Sequence, residues 1–425
     1  MGKKILVTGS GGREHALVKA FLNGSSVDSV ICSPGNAGTA KTQNCVNISA
    51  DSIEDVVALA KRENVDLVVP GPEAPLAEGL VDKLTDAGIP AFGPDLSSAR
   101  LESSKAFAKD FMKRNGVATA AYKIFEDYQS ASASLKSGEF SFPVVVKASG
   151  LAAGKGVLIC GSLSEALEAL DELMIKKNFG SAGSKVVIEE FLEGWETSII
   201  GITDGKTFMP FLPAKDHKRA GNNDTGPNTG GMGVIAPHPL VTDKIMKDIQ
   251  QNIINPTLNG LESDNLEYAG FLFIGVMVTS EGAKTLEYNV RFGDPEAQAL
   301  LPLLKGDLYS YIQAAMEGRL SEIKPEWNGG ASCCVVIASE GYPGTYKSGY
   351  LIEGIENAEK SGCMVYTAGV KLGDNGEFLT SGGRVLGVSA VGKTLEEAVN
   401  TAYSGAGKIR FKGSWYRLDI GGEII

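Results

Sequence analysis

The chain is poor in the side chains that build common metal and disulfide sites. Its three histidines, His15, His217 and His238, are widely separated and give no metal-ligand spacing. None of its six cysteines forms a C-x-x-C pair, and a chain of 425 residues with 43% hydrophobic content does not need disulfide staples. We therefore expect buried free thiols in a reducing compartment rather than a disulfide framework.

The chain also lacks long apolar runs and an excess of positive charge. The longest apolar run, 271–278, is far below membrane-spanning length and predicts a buried strand. The N-terminus enters a strand directly and shows no cleavage site, so we expect a cytoplasmic protein with no membrane partner, a removed transit peptide being left open. The net charge is −11, from 40 basic against 51 acidic residues, which argues against nucleic acid as a partner. A small anionic substrate needs only a local positive pocket.

A dinucleotide fingerprint is missing although glycines follow the first predicted strand. The pattern G-x-G-x-x-G requires a third glycine where the chain has Glu14. The second strand ends at Ser33-Pro34 and offers no acid for a ribose hydroxyl. A phosphate or phosphosugar at the helix N-terminus formed by Gly11–Arg13 fits better, and tight turning alone is the alternative interpretation.

Strands and helices alternate through the first 103 residues. Strands are predicted near 3–8, 30–32, 67–69 and 89–92, and helices near 13–22, 52–63 and 75–87. This order predicts a parallel sheet with helices on both faces, and such sheets bind ligands beyond the carboxyl ends of their strands. Two such ends read Pro34-Gly35-Asn36 and Gly71-Pro72-Glu73.

The most informative stretch of the chain runs from Leu286 to Glu296. It reads as a strand that breaks into a turn, so Glu287, Asn289 and Arg291 project from one side, with Leu286 and Val290 on the other. Glu and Asn oxygens suit a Mg²⁺ that takes its remaining ligands from phosphates and water. The guanidinium can bind an anion in a forked geometry. The pattern indicates chemistry on ATP, and the alternative is a solvated surface strand.

A glycine-rich hairpin between two predicted strands supports the same chemistry. Lys147 ends an apolar strand, and a buried lysine needs an anionic partner such as phosphate. The following loop, 148–157, lacks the P-loop pattern, but its backbone amides can cover a triphosphate. A third strand near 185–188 leads to 189–194, which offers an apolar slot, backbone groups for a purine edge, and Glu193 for ribose hydroxyls.

Two later segments carry further predictions. The segment 203–237 reads as long and irregular, and we interpret it as a mobile lid over charged substrates, with a disordered linker as the alternative. From about 326 the chain reads as a small α+β domain. There Gly382-Gly383-Arg384 is either a plain turn or a source of one more cation for the cleft.

These pieces together resemble the ATP-grasp ligases, in particular the phosphoribosylamine–glycine ligase family. The likeness covers the whole chain and is most specific in the run 291–296. It is carried by the following runs: Gly11-Gly12-Arg13-Glu14-His15, Pro34-Gly35-Asn36-Ala37-Gly38-Thr39, Gly71-Pro72-Glu73, Lys147 to Val157, Asp216-His217-Lys218-Arg219, Asn228 to Gly233, and Arg291-Phe292-Gly293-Asp294-Pro295-Glu296.

The resemblance implies a fold of mixed α/β and α+β class. Residues 1–103 would form an N-terminal parallel α/β substrate domain that precedes the ATP-grasp core. Residues 104–325 would form that core from two α+β subdomains, with 124–192 as a mobile lid over ATP. Residues 326–425 would form a small C-terminal α+β domain.

The resemblance also implies a reaction. ATP, glycine and 5-phosphoribosylamine would give glycinamide ribonucleotide, ADP and phosphate, with Mg²⁺ or Mn²⁺ as the cofactor and ATP as a co-substrate. Glycine would first become glycyl phosphate, which the amine then attacks. Because acyl phosphates hydrolyse, a closing lid that excludes water is useful. We expect a monomer or weak dimer, either monofunctional or a part of a longer polypeptide.

Roles follow residue by residue from the resemblance. Glu287 and Asn289 would hold the metal ion, Arg291 would stabilise the acyl phosphate, and Asp216 and Asp294 would position the ammonium group of glycine. The residues expected to bind ATP are Lys105, Lys147, Gly154, Lys155, Gly156, Glu189, Glu190, Phe191, Leu192, Glu193 and Glu196. The residues expected to bind the other substrates are Gly11, Gly12, Arg13, Glu14, His15, Asn36, Gly71, Pro72, Glu73, Asn228, Thr229, Gly230, Gly293, Pro295 and Glu296.

Three rival functions are weighed against this one. A carboxylate–amine ligase with another amino acid as substrate is disfavoured by the run 291–296. A nucleotide-binding sensor without turnover would tolerate loss of Glu287, Asn289 or Arg291, and all three are present. A dehydrogenase is disfavoured by the missing third glycine.

Overall fold

The computed structural model describes residues 2–152 and 156–422. The predicted Gly154 and Lys155 therefore lie outside the described residues. Within them, no helix is long and apolar enough to cross a membrane.

The N-terminal part contains a four-stranded sheet of order β3-β2-β1-β4, and all its strand pairs are parallel. Ile5, Leu6 and Val7 are fully buried in it, as the apolar first strand predicts. The parallel α/β prediction is confirmed. The elements are β1 (Lys3–Gly9), α1 (Gly12–Asn23), β2 (Val27–Pro34), α2 (Ala37–Lys41), β3 (Cys45–Asn47), α3 (Ile53–Glu63), β4 (Leu67–Pro70), α4 (Glu73–Ala77), α5 (Leu80–Asp86), β5 (Gly93–Pro94) and α6 (Arg100–Ser103).

Two element predictions in this part are wrong. The strand expected at 89–92 is reduced to a single parallel bridge between Val68 and Ala91, and the short β5 pairs instead with a later antiparallel strand. The single helix expected at 75–87 is two helices, because Gly79 takes a left-handed conformation with φ +85° between α4 and α5.

The next part is a small sheet with its own core. Its antiparallel order is β6-β9-β7-β8, and one face, with Val144, Val146 and Ile188, packs under the two helices α8 and α9. The other face carries Lys147 and Glu189. The elements are α7 (Lys105–Arg114), β6 (Tyr122–Phe125), α8 (Tyr128–Lys136), β7 (Val144–Ala148), β8 (Val157–Cys160), α9 (Leu163–Leu170), a π-helical turn (Asp171–Ile175), a 3-10 turn (Gly180–Ser184) and β9 (Val186–Glu190).

A second antiparallel sheet, of order β11-β10-β16-β17, faces that small sheet across the predicted ATP cleft, and β5 extends it by pairing with β16. Its two long final strands contain the run 271–278 that was predicted to be a buried strand and the predicted strand that begins the stretch from Leu286. The elements are β10 (Trp195–Thr203), β11 (Phe208–Pro210), β12 (Lys215–Asp216), β13 (Arg219–Gly221), a 3-10 turn (Asn222–Asp224), β14 (Thr225–Asn228), β15 (Gly233–Ala236), α10 (Asp243–Ile249), a π-helical turn (Gln250–Ile254), α11 (Asn255–Ser263), β16 (Tyr268–Thr279) and β17 (Gly282–Asn289).

The C-terminal part is built on a sheet of order β12-β15-β20-β24-β21, with β25 paired to β20. The elements are α12 (Glu296–Leu300), a 3-10 turn (Leu301–Leu303), β18 (Leu304–Lys305), α13 (Leu308–Met316), a 3-10 turn (Leu320–Glu322), β19 (Glu326–Trp327), β20 (Ala331–Ser339), α14 (Ile355–Glu359), β21 (Met364–Thr367), β22 (Val370–Leu372), β23 (Phe378–Thr380), β24 (Arg384–Gly392), α15 (Leu395–Ala406) and β25 (Ser414–Trp415).

That sheet corrects the prediction of an irregular segment at 203–237. Five strands, β11 to β15, lie within it, and two of them, β12 and β15, join the C-terminal sheet. Val234, Ile235 and Ala236 are fully buried, so this run is core rather than lid. The strand was missed in the sequence because it is too short to show a clear alternating pattern and because many glycines and prolines surround it.

An aromatic cluster holds the turn after β17 in place. Phe292 is 1% exposed, and its ring centroid lies 4.9 Å from that of Phe271 and 5.5 Å from that of Phe211. Phe92, from the N-terminal part, adds an edge contact to Phe271 at 5.1 Å. Because Phe292 is locked inside, its neighbours Arg291 and Gly293 are turned towards the cleft.

Candidate active site

The end of β17 presents Glu287, Asn289 and Arg291 on one side, as predicted. Tyr288 and Val290, between them, are each 2% exposed and pack into the core. The alternation fails at Leu286, however. A bulge in the pairing with β16 leaves this residue unpaired, and Leu286 is only half-buried whereas Val290 is 2% exposed.

Arg291 is held by two carboxylates from the N-terminal part. Its Nη2 lies 2.9 Å from Oε1 of Glu102, and its Nε lies 3.4 Å from Oε2 of Glu73. Nη2 also donates to Oδ1 of Asn289 at 3.1 Å, and Nη1 donates to the carbonyl of Phe292 at 3.2 Å. Burial opposes the charge of Arg291, but Glu102 and Glu73 outweigh it and raise the pKa of the guanidinium above its ordinary value.

Glu287 fits a divalent metal ion bound together with phosphate. Its carboxylate makes no hydrogen bond within residues 2–152 and 156–422, and the amide oxygen of Asn289 lies on the same face. Burial raises the pKa of Glu287, but the charges of Lys218, Lys105 and Lys147 outweigh it and hold the pKa below its ordinary value. An ionised carboxylate with no hydrogen bond in the described part of the chain, beside an amide oxygen, is a suitable donor set for Mg²⁺ with phosphate ligands.

Lys147 faces an acidic partner across the small sheet. Its Nζ lies 2.9 Å from Oε2 of Glu189, and the Nζ of Lys109 lies 3.0 Å from the same oxygen. Lys109 also donates to the hydroxyl of Thr119 at 2.7 Å. Burial, partly offset by Glu189, lowers the pKa of Lys109 to about 8. Burial likewise lowers the pKa of Lys105, which lies near Glu287 and Lys147. Three lysines thus crowd around two carboxylates, which favours an added anion.

The start of α7 is tied to the glycine-rich loop. The amide of Lys105 donates to the carbonyl of Ser149 at 2.8 Å, and the amide of Ala106 donates to the Ser149 hydroxyl at 3.1 Å. The small side chain at 149 therefore anchors the loop at its base. Gly156 begins the return to β8, where an added Cβ would lie 2.8 Å from the Cβ of Ala152.

The run 189–193 leaves the sheet after Glu190. The Glu189 side chain is 2% exposed and turned towards the lysines, so only its backbone can meet a purine. Glu190 accepts the amide of Ala121 at 2.9 Å. Phe191 is half-buried, Leu192 is 7% exposed and Glu193 is exposed. The chain thus places two apolar side chains before an exposed acid, and the role of this run as a nucleotide edge stays a prediction.

Three acids gather where the turn meets β12. Burial and the charge of Glu296 raise the pKa of Asp216 well above its ordinary value, and burial raises that of Glu296. Asp216 Oδ1 is buried with no hydrogen-bond partner in the described residues. For Asp294 burial is outweighed by Arg384 and Arg13, so its pKa is lowered. Two carboxylates that repel each other favour a cationic ligand between them.

Glycines make room for these acids. A Cβ at Gly231, where φ is +107°, would lie 2.8 Å from Asp216 Oδ1 and 2.5 Å from Cδ of Pro295. A Cβ at Gly293 would collide with the Glu296 carboxylate. The hydroxyl of Ser198 donates to Glu296 Oε1 at 3.3 Å. Only glycine at 231 and 293 therefore permits this acidic cluster.

Lys218 and Glu196 bridge the cluster and the nucleotide edge. Lys218 Nζ lies 2.6 Å from Glu196 Oε2. Burial opposes the charge of Lys218, but Glu196, Glu287 and Asp216 outweigh it and raise its pKa. Lys218 therefore connects the candidate metal site to the acidic cluster, a contact that its sequence neighbourhood did not indicate.

The loop after β1 directly contacts the turn 290–296 that follows β17, which we call the signature turn. The amide of Arg13 donates to Asp294 Oδ2 at 3.3 Å, and Arg13 Nη1 donates to the Phe292 carbonyl at 3.2 Å. Arg13 Nε lies 2.6 Å from Glu14, whose other oxygen accepts the amide of Gly11 at 2.5 Å. Glu14 fills the space beside Gly71, where an added Cβ would collide with it. The Glu14 side chain is 2% exposed and packs beneath these loops, so it fixes their positions.

His15 and Asn36 join the N-terminal part to β21. Nδ1 of His15 accepts the amide of Thr367 at 3.0 Å, and the Asn36 amide donates to the Thr367 carbonyl at 2.7 Å. Asn36 also caps α2 by accepting the amides of Gly38 and Thr39. Burial, with a smaller effect of Lys19, lowers the pKa of His15 to about 3, so the ring is neutral.

A cavity of about 440 Å³ opens beside these residues. It lies between the carboxyl ends of β1 and β2 and the C-terminal strand β22. Its polar wall includes Ser10, Asn36, Asn47, Lys371 and Ser381. A concavity therefore lies beside the predicted phosphosugar region, and one of its walls comes from the C-terminal part.

Arg384 reaches the cleft. The turn at Gly382-Gly383-Arg384 therefore brings one more cation to the cleft and is not a plain turn. The Nη1 of Arg384 donates to the carbonyls of Gly230 and Asp294 at 2.7 and 2.8 Å and lies 3.3 Å from Asp294 Oδ1.

Thr229 donates its hydroxyl to the Lys218 carbonyl at 2.8 Å. Asn228 lines a second cavity, of about 740 Å³, between the β13–β14 hairpin, β8 and the loop 341–344.

Sequence reasoning missed Glu102 and Lys109. The signal for Lys109 was available, since it follows Lys105 by four residues on a helix and so shares its face. Glu102 carries no comparable local pattern, because its partners Val290 and Arg291 lie far along the chain.

The fold and this cleft define the ATP-grasp class of enzymes. A family model described as the ATP-grasp (A) domain of phosphoribosylglycinamide synthetase matches residues 103–297. The N and C domain models of the same synthetase match residues 3–102 and 332–423. The chain belongs to the phosphoribosylglycinamide synthetase family.

Individual relatives agree with that assignment. The chain is 48% identical to a phosphoribosylamine–glycine ligase of Clostridium acetobutylicum, over 98% of this chain and 99% of the relative. It is 47% identical to the trifunctional purine biosynthetic protein adenosine-3 of Gallus gallus, over 100% of this chain and 42% of that protein. The crystal structure of a Thermotoga maritima phosphoribosylamine–glycine ligase matches with a TM-score of 0.85 at 35% identity, covering 98% of this chain and 100% of that one. A Campylobacter jejuni biotin carboxylase shares the fold, with a TM-score of 0.73 at 15% identity, over 97% of this chain and 92% of that chain.

Proposed function

We propose that this protein ligates glycine to 5-phosphoribosylamine in purine biosynthesis, consuming ATP and releasing glycinamide ribonucleotide, ADP and phosphate. The observation that carries the proposal is the face formed by Glu287, Asn289 and Arg291, set opposite Lys105 and Lys147 across one cleft. That face combines metal ligands with cations for phosphate, and the family match spans the chain from residue 3 to residue 423.

Glu287 and Asn289 would hold a divalent ion, Mg²⁺ or Mn²⁺. Such an ion neutralises charge on phosphate oxygens. Asn289 Oδ1 already accepts a hydrogen bond from Arg291, which fixes the direction of the amide. Lys105 and Lys147 would bind ATP phosphates, and Lys109 would remain on Glu189 when Lys147 turns to them.

The nucleotide would lie between the two sheets. The backbone of 190–192 would hold adenine and Glu193 the ribose, while the glycine-rich loop, anchored through Ser149, would cover the phosphates. Because this small sheet has its own core, it can move as a unit. Closure would exclude the water that hydrolyses an acyl phosphate.

Glycine would bind where acidic side chains face its ammonium group and a basic side chain faces its carboxylate. Its ammonium group would lie near Asp216 and Asp294, beside the buried and unpartnered Oδ1 of Asp216. Its carboxylate would face Arg291 and attack the γ-phosphate, giving glycyl phosphate. Arg291 then stabilises the negative charge that develops on the phosphoryl oxygens.

Phosphoribosylamine would enter from the N-terminal side. The cavity of about 440 Å³ beside Asn36 is suited to a phosphosugar, and Glu73 lies beside Arg291, between that side and the reacting centre. Attack of the amine on the acyl carbonyl forms the amide bond and expels phosphate. The loop 228–230, whose Gly230 carbonyl accepts a hydrogen bond from Arg384, would border the cleft as well.

The test is ADP release with Mg-ATP and glycine, with and without phosphoribosylamine generated from ribose 5-phosphate and ammonia. Release that requires all three substrates supports the proposal. Release without the amine favours another carboxylate substrate, and no release with all three favours the nucleotide sensor. Substituting alanine for glycine in the same assay measures how strictly the pocket rejects one methyl group, a preference of about 1–3 kcal/mol.

A further inference from the structure

Glu102 is a buried carboxylate that joins two points of the signature turn. It lies in α6 and is 7% exposed. Its Oε2 accepts the amide of Val290 at 2.8 Å, and its Oε1 lies 2.9 Å from Arg291 Nη2. One side chain therefore fixes both the backbone before Arg291 and the guanidinium itself.

The other contacts of Arg291 show which N–H donors of its guanidinium remain free for a ligand. A guanidinium has five N–H donors. Asn289 accepts one N–H of Nη2, Glu102 is an ion-pair partner 2.9 Å from the same nitrogen, and the carbonyl of Phe292 accepts one N–H of Nη1. Nε has no hydrogen-bond partner in the described residues and lies 3.4 Å from Glu73. Nε is buried beside the Glu73 carboxylate, so among the described contacts the second Nη1 hydrogen is the donor left for a ligand.

We propose that Glu102 is a positioning residue for the ligation reaction, which acts through Arg291 by holding its Nη2 edge so that the free Nη1 donor faces the reacting phosphoryl group. The inference rests on the proposed function, because that function gives Arg291 its catalytic role. Glu73 does not replace Glu102, since it is more exposed, lies farther from Arg291 and makes no bond to the backbone of the turn.

The first test compares Glu102→Gln with a matched control. Gln keeps the size of Glu, but its single oxygen cannot accept from both Val290 and Arg291. Asp66→Asn breaks the same kind of pair far from the cleft, because Asp66 accepts the amide of Lys4 at 2.8 Å and pairs with Lys3 at 2.9 Å. We expect kcat of Glu102→Gln to fall about 10- to 100-fold with KM values within about 3-fold, and Asp66→Asn to stay within about 2-fold of wild type.

The second test separates positioning from general stability. In the background of Arg291→Gln, adding Glu102→Gln should change the single-turnover rate by less than about 2-fold, because the group it positions is already gone. The double variant also removes both buried charges, so it is suited to folding where Glu102→Gln alone does not fold. An equal loss in both backgrounds would show a purely structural role and overturn the inference.

The two proposals fail in different ways. If the wild-type protein releases no ADP with all three substrates, the proposed function is wrong. If wild type turns over and both Glu102→Gln and Glu102→Asp match its kcat, the ligase assignment stands and the positioning role of Glu102 is refuted. Asp is included because its shorter side chain reaches only one of the two partners.

Discussion

The buried ring of His15 makes a quantitative prediction about acid stability. Burial lowers its pKa from 6.5 to about 3 in the folded protein. Between those values the unfolded chain binds a proton that the folded protein does not, so stability falls as pH drops from 6.5 towards 3. At pH 5 the term RT ln[(1 + 10^1.5)/(1 + 10^−2)] amounts to about 2 kcal/mol, and at pH 8 it is close to zero.

The assay is urea unfolding followed by circular dichroism at pH 8 and pH 5. His217 and His238 have pKa values lowered to about 4 by burial, so the whole protein loses more stability than His15 alone predicts. The useful quantity is therefore the difference between wild type and His15→Gln. Wild type should lose about 2 kcal/mol more than the variant between the two pH values.

A control keeps the imidazole while disturbing its surroundings. Thr42→Val removes the hydroxyl 3.4 Å from Nε2 of His15 and leaves the bond from Thr367 to Nδ1 intact. Its pH dependence should follow wild type. If His15→Gln loses as much stability between pH 8 and pH 5 as wild type does, the His15 ring is not kept neutral by burial. The reasoning is then refuted.

Three further outcomes are expected. Glu287→Ala should lower kcat by more than about 100-fold with an unchanged urea midpoint, and near-normal turnover would remove Glu287 from the metal site. Lys109→Met should raise KM for ATP several-fold, because Lys147 is then the only cation paired with Glu189 among the described residues; an unchanged KM contradicts the shared pair. Gly194→Ala should cost about 1–3 kcal/mol in urea unfolding, since its Cβ would collide with the Val278 carbonyl, and wild-type stability would show that the strands can separate.

Local patterns predicted much of the fold. The alternation of strands and helices before residue 103 implied a parallel sheet, and period-2 alternation placed Glu287, Asn289 and Arg291 on one side of a strand. Both rest on geometry that repeats over a few residues, so short stretches suffice to reveal it. The same local reasoning failed at Leu286, because a bulge depends on the partner strand, and over 89–92, where an apolar stretch found no strand to pair with beyond one residue.

The sequence by itself therefore determined the family, the sheet class and the chemical character of the cleft, because turns, glycines and alternating side chains carry that information locally. Only the tertiary structure decided which charges meet. Glu102 reaches Arg291, and Lys109 shares Glu189 with Lys147, through packing between segments far apart in the chain. Removal from water makes these pairings strong, and burial arises only when those segments come together.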